Sequence, residues 1–125
     1  MILAASRDVQ KGGRFEGRRV YQHNPQVLFV RSNKDENIRF GEVIAEKVNA
    51  SQGPVKICIP TGGFSAVDRE GEIFYDVQAD KAFVGALKAG ITNEQIEIME
   101  IPGNINDSIF AEAVVSKLGE MLSVG

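Results

Sequence analysis

This chain has one cysteine and one histidine in 125 residues, too few for several kinds of site. With Cys58 alone, no disulfide can form within the chain. Its place inside an apolar run reads as a small buried hydrophobe rather than a reactive thiol. One His and one Cys cannot build a His/Cys zinc centre, and no metal site is expected. Long hydrophobic runs are missing as well. Met1-Ile2-Leu3-Ala4-Ala5 is too short for a signal peptide, and no stretch approaches a membrane span. The expectation is a cytoplasmic protein with no membrane partner. An excess of positive charge is also missing. The formal net charge of -3 argues against a nucleic-acid partner held by counterion release. The local exception of Lys11, Arg14, Arg18 and Arg19 reads as solvated surface. Neither a Gly-Lys-Ser/Thr phosphate loop nor G-x-G-x-x-G occurs.

What remains is enough for a single domain of common size with one real core. It is read as a single Rossmann-like lobe over 1–125 with an irregular arm over about 1–17. Within the arm, Ile2 to Ala5 is either a short strand or a tucked end. The organising stretch runs from Val55 to Asp68. Val55-Lys56-Ile57-Cys58-Ile59-Pro60 is too short for a helix and rich in β-branched residues, so it reads as a buried strand. Thr61-Gly62-Gly63-Phe64-Ser65 follows, a small-residue loop of the kind that lets backbone N–H groups approach a ligand.

Two similar apolar runs flank it. Val27 to Arg31 follows the turn signal His23-Asn24-Pro25. Ile96 to Ile101 alternates apolar and acidic residues, which places it near a sheet edge. Helical spacing is found near 35–49, where Ile38, Gly41, Ile44, Ala45 and Val48 share a face. A start comes from Ser32 with Asp35 or Asn33 with Glu36. Gly41 on the buried face predicts a close helix–sheet approach. A second helix is expected near 77–89, started by Asp76 or Asp80 and closed by Gly90 as a C′ glycine. Glu72 to Tyr75 before it reads as a short extended piece. A third helix is expected near 107–122, carrying Ile109, Phe110, Ala113, Val114, Leu118, Met121 and Leu122.

Strand and helix therefore alternate. This predicts the α/β class: a Rossmann-like three-layer sandwich with a small, mostly parallel sheet built from strands near 27–31, 55–60 and 96–101. In such a sheet ligands bind beyond the carboxyl ends of the strands. Three polar loops leave those ends: Arg31 to Glu36, Thr61 to Asp68, and Pro102 to Asp107. The candidate ligand-binding residues are Thr61, Gly62, Gly63, Phe64, Ser65, Asn104, Asn106 and Asp107. Asn106 and Asp107 also read as caps of the last helix, which leaves Asn104 the freer of the three. Asp68 and Asp76 read as turn caps ahead of magnesium ligands. His23 precedes its strand and so sits away from the three loops. Ser65 lacks an evident base, and no catalytic residue is assigned.

The stretch from Glu16 to Val27 resembles part of the ATP-binding domain of the tomato mosaic virus resistance protein family, whose bacterial members are mostly uncharacterised. Further pieces fit in the same order: Asp35-Glu36-Asn37 with Ile44 to Asn49, then Gly63 to Asp68, then Ile105-Asn106-Asp107. One departure is Pro102-Gly103-Asn104, where the family usually has an acidic residue, a small residue and His. Family members are longer, with two Rossmann-like lobes. The resemblance implies a free-standing carboxyl-terminal lobe that binds a nucleotide or other phosphate-bearing small molecule, with ATP and magnesium as the implied cofactors. The other expectation is an oligomerisation or protein-interaction module without small-molecule chemistry. A three-stranded sheet has exposed edges, and a lobe of a larger parent exposes an apolar patch. Both point to a homodimer or higher homo-oligomer.

Overall fold

A computed structural model describes residues 1–6 and 13–123 of the chain. The elements run β1 (Ile2–Ser6), β2 (Val20–Gln22), β3 (Val27–Arg31), α1 (Lys34–Asn49), β4 (Val55–Pro60), α2 (Val77–Gly90), β5 (Ile96–Ile101) and α3 (Ser108–Ser123). The α/β class stands, and each expected helix and strand is present. Ile2 to Ala5 is strand rather than a tucked end. Within the expected irregular arm, residues 7–12, including Lys11, lie outside the described residues.

β4 and β5 form a parallel pair, from Val55 opposite Ile96 to Pro60 opposite Ile101. The strand at 27–31 does not join them. β3 instead sits between β1 and β2 and runs antiparallel to both. The reason is the length of the link. Only His23 to Gln26 separates β2 from β3, and so short a connection joins antiparallel neighbours alone. The Asn24 side chain closes that turn by accepting the Gln26 and Val27 N–H groups, both at 2.9 Å. β4 and β5 are separated by all of α2, the long crossover that a parallel pair requires.

Successive side chains of β4 point to opposite faces. Ile57 and Ile59 pack with Ala45 of α1 and Phe83 and Leu87 of α2, and Ile98 of β5 joins them. On the other face, Lys56 reaches Glu97 of β5 at 2.9 Å and Glu120 of α3 at 3.6 Å. The helices thus lie on both faces of the small parallel sheet.

α1 starts with the Asn33–Glu36 capping box, one of the two arrangements the sequence allows. Gly41 serves a helix–helix approach, not the helix–sheet approach expected. A Cβ there would lie 2.6 Å from the Phe83 carbonyl oxygen and 2.8 Å from the Leu87 nitrogen, both backbone atoms of α2. Gly90 is not a left-handed C′ glycine. It is the last residue of α2, its φ is not positive, and a Cβ would come within 2.6 Å of the Ala45 Cβ. Buried Asn37 ties the two helices by donating to the Ala79 carbonyl at 2.7 Å. Glu72 to Tyr75 is turn rather than extended chain, because Phe74 drops into the interior and is fully buried. α3 is anchored by Phe110, its one buried residue.

Candidate functional site

The loops after β4 and β5 are knitted together at the carboxyl end of the parallel pair. Thr61 N–H donates to the Ile101 carbonyl at 3.0 Å, Gly62 N–H to the Gly103 carbonyl at 2.7 Å, and Ile105 N–H to the Gly63 carbonyl at 3.0 Å. This ladder needs glycine. A Cβ on Gly62 would lie 2.5 Å from the Gly103 carbonyl carbon. Gly63 has φ +117°, and a Cβ there would overlap the Asp68 carbonyl oxygen. Phe64 N–H donates to Asp68 Oδ2 at 3.1 Å.

Asn104, expected to be the freer residue, is the most committed. It is 3% exposed. Its amide nitrogen donates to the Ser65 carbonyl at 2.8 Å and the Asp68 carbonyl at 3.2 Å, while its Oδ1 accepts the Asn106 N–H at 3.0 Å. The Asp107 carboxylate turns back to accept the Asn104 N–H at 2.7 Å and pairs with Arg69 at 2.9 Å. The Asn104 N–H, with Arg69 beside it, holds the Asp107 carboxyl below the usual range.

The third loop joins the same rim through a residue the sequence reading did not single out. Arg31, the last residue of β3, is 3% exposed. Its guanidinium pairs with Asp80 of α2 at 2.7 Å and with Asp68 at 3.3 Å, and donates to the Phe74 carbonyl at 2.9 Å. Burial raises the Asp80 carboxyl to about 6; Arg31 opposes that shift and the Asp68 carboxylate reinforces it. Asp76 caps α2 by accepting the Ala79 N–H at 3.0 Å, as expected of a turn or cap residue. Arg18 is a half-buried tie rather than a solvated charge, whereas Arg14 and Arg19 are exposed, as expected of surface charges. Arg18 bonds Glu36 at 2.7 Å and lowers its carboxyl, and Arg19 donates to the Tyr75 carbonyl at 2.7 Å. His23 stacks on Phe29 with ring centroids 4.5 Å apart, among the antiparallel strands.

Beside this rim lies a pocket of about 300 Å³. One wall is Ile59 to Phe64, the end of β4 and its exit loop; the other is the face of α2 carrying Val77, Asp80, Lys81, Val84, Gly85 and Lys88. Tyr75 and Glu100 complete it, and Lys88 pairs with Glu100 at 2.8 Å. Apolar walls with a few charged groups at the edge are the usual make-up of a small-molecule site. Of the residues picked from sequence, Thr61, Gly62, Gly63 and Phe64 line the pocket. Ser65 borders a shallower hollow with Met1, Ile2, Phe64 and Asp68. Asn104, Asn106 and Asp107 are absent from the pocket wall; Asn104 and Asp107 hold the loop from behind, and among the described residues exposed Asn106 bonds only Asn104. The α2 face was missed, although Val77, Lys81, Val84 and Lys88 recur at the spacing of one helical side.

Residues 2–122 match the model of the C-terminal domain of the uncharacterised protein family UPF0261. This chain belongs to the UPF0261 family. Among curated relatives, a UPF0261 protein of Clostridium tetani is 42% identical over 108 residues, covering 86% of this chain and 27% of that protein. A UPF0261 protein of Rhizobium meliloti is 39% identical over 104 residues, covering 82% of this chain and 26% of the relative. The ToMV resistance protein Tm-1 of Solanum lycopersicum is 36% identical over 108 residues, covering 86% of this chain and 14% of the tomato protein. The UPF0261 chain thus spans about a quarter of its bacterial relatives and less of the plant one. The similarity to the tomato resistance protein family expected from the sequence is therefore present. No described helix of this UPF0261 domain is long and apolar enough to cross a membrane.

Proposed function

We propose that this UPF0261 domain is a cytoplasmic ligand-binding lobe that takes a nucleotide, or another phosphate-bearing small molecule, in the pocket between the β4 exit loop and α2. The observation that carries the reading is the pocket's position. It opens where the chain leaves a parallel strand, and crevices beyond the carboxyl ends of such strands are the usual ligand sites of α/β folds. Its volume of about 300 Å³ suits the nucleoside half of a nucleotide, with the charged half reaching the rim.

The fit of ATP is divided between those halves. Apolar Ile59, Phe64, Val77 and Val84 suit a base, and Lys81 and Lys88 at the pocket wall suit a phosphate. The Gly-Gly loop offers less to an anion than its composition implies, because the Thr61, Gly62 and Phe64 N–H groups are engaged within the protein. Among the described residues no group of three or more His, Cys, Asp or Glu side chains is placed to hold a metal ion. Magnesium would come bound to the phosphates of the nucleotide.

Calorimetric titration with magnesium ATP tests this. Heat of binding is expected for the wild type and its loss for Gly85→Leu. Gly85 lines the pocket and a Cβ there meets nothing within 4 Å, so a leucine is expected to narrow the pocket mouth, with an unchanged circular dichroism spectrum as the check on the fold. No heat and no shift in melting temperature at millimolar nucleotide would remove the reading. A second reading, an oligomerisation or interaction module without small-molecule chemistry, has one observation in its favour. Val115, Leu118 and Leu122 of α3 are exposed.

A further inference from the structure

Most polar side chains that line the pocket stand at its mouth. Thr61, Tyr75, Lys81, Lys88 and Glu100 are all exposed. Asp80 is the exception. Its side chain is 14% exposed, and Val77 and Val84 lie one helical turn to either side of it on the same apolar wall. Arg31 fixes it there. The guanidinium donates to the Phe74 carbonyl at 2.9 Å, to the Asp76 carbonyl at 3.3 Å and to Asp80 Oδ1 at 2.7 Å. Among the described residues nothing donates to the other oxygen, Oδ2. No buried side-chain polar atom among them lacks a partner, so Oδ2 is not buried, and the space beside Asp80 is the pocket. Burial raises the carboxyl to about 6, so at about pH 7.5 it is mostly ionised and only accepts.

We infer that Asp80 reads the base of the ligand: its open oxygen accepts from an exocyclic amino group, so the pocket selects nucleotides whose base carries one, adenine ahead of hypoxanthine. This rests on the nucleotide reading of the preceding section and deepens it. The orientation follows from where the charges stand. Phosphates need cations, and Lys81 and Lys88 are at the mouth, so the phosphates point outward. The base is the end of a nucleotide farthest from its phosphates, and so goes deepest, to the wall that carries Asp80. One open oxygen calls for one donor. An amino group supplies it, whereas a base carbonyl brought to the same point sets acceptor against acceptor. Because Arg31 holds the carboxylate in place beforehand, the contact needs little ordering on binding.

Calorimetric titration of the whole chain at about pH 7.5 is the test, with the magnesium salts of ATP, ITP and dideoxy-ATP, which lacks the ribose hydroxyls. The wild type is expected to bind ATP roughly 10–100-fold more tightly than ITP, the range of one hydrogen bond to a charged group, and dideoxy-ATP within about threefold of ATP. In Asp80→Asn the guanidinium of Arg31, a donor only, draws the amide oxygen and turns the NH₂ toward the pocket. The preference for ATP is then expected to vanish or to reverse toward ITP, with an unchanged circular dichroism spectrum as the check on the fold. The comparison among ligands in the wild type decides the matter even where that spectrum changes. Equal affinity of the wild type for ATP and ITP would overturn the role of Asp80 and leave the nucleotide reading standing. So would a folded Asp80→Asn that keeps the wild-type preference. A loss confined to dideoxy-ATP would give the contact to the ribose and overturn the reading of the base. No heat with any of the three would overturn both this inference and the nucleotide reading.

Discussion

Replacing Asn104 with alanine is expected to loosen the whole rim, although the residue touches no pocket wall. Its amide nitrogen satisfies two carbonyls of the β4 exit loop, Ser65 at 2.8 Å and Asp68 at 3.2 Å, and its oxygen accepts the Asn106 N–H at 3.0 Å. Each lost hydrogen bond costs about 1 kcal/mol net, and each buried carbonyl left without a donor about 1–3 kcal/mol. Water entering the vacated space recovers part of this, so the expected total is about 2–4 kcal/mol. For a chain of this size that lowers the melting temperature by roughly 8–15 °C. Urea unfolding followed by circular dichroism is the assay. The midpoint should fall with the slope unchanged, as for a pure stability loss. Asn106→Ala is the control: Asn106 is exposed, and its loss should cost about 0.5 kcal/mol or less. If Asn104→Ala lies within about 0.5 kcal/mol of the wild type, the loop is not held by that side chain and the knitted-rim argument fails.

Other perturbations probe separate parts of the fold. Gly41→Ala should destabilise by about 1–3 kcal/mol, because its Cβ meets α2 backbone that has little room to shift. Gly85→Ala, in open space on α2, should stabilise by about 1 kcal/mol; thermal melts of the pair separate the two cases. Arg31→Met should cost about 3–5 kcal/mol in urea unfolding, since it strands the Asp68 and Asp80 carboxyls. Asp80 gives a pH signature. Its folded-state value of about 6 lies above that of the unfolded chain, so the folded state holds a proton that the unfolded state has lost between about pH 4 and 6. Its contribution to stability therefore falls as pH rises through that window. The lowered Glu36 carboxyl acts in the opposite sense: its contribution is present above the ordinary glutamate range and is lost as pH falls through its folded value. The difference between wild type and Asp80→Asn isolates the Asp80 effect. Urea midpoints at pH 4.5 and 7 should show the wild type losing stability relative to the variant at the higher pH, and an equal change in both would refute it.

Much of this architecture is legible in the residues because local signals agree there. The apolar run into Pro60, the Asn33–Glu36 box and the helical spacing around Phe83 and Leu87 each specify their element without help from the rest of the chain. The pairing of β3 is less legible. Its apolar run suits either kind of sheet, and the short His23 to Gln26 link decides between them only once Val20 to Gln22 is recognised as a strand. At the candidate site, composition singled out a loop that lines the pocket but not the way its residues are turned. Glycine and asparagine look alike in sequence whether they face a ligand or a neighbouring backbone. Here the side chain of Asn104 faces backbone and Gly62 lies tight against the Gly103 backbone at the pocket's edge, whereas Val84 and Lys88, which read as ordinary helix positions, line the pocket. Arg31 was hidden for a similar reason. A charged residue ending an apolar strand normally marks the surface, and only the partners supplied by Asp68 and Asp80 allow it to be buried.

The most direct test of the pocket reading is a titration of the ¹⁵N-labelled chain with magnesium ATP, followed amide by amide. The account predicts that shifts concentrate at Thr61 to Phe64 and along Val77 to Lys88, and leave His23 and the α3 residues Val115 to Leu122 in place. Saturating nucleotide that moves no amide along that wall, or moves only residues elsewhere, would contradict it.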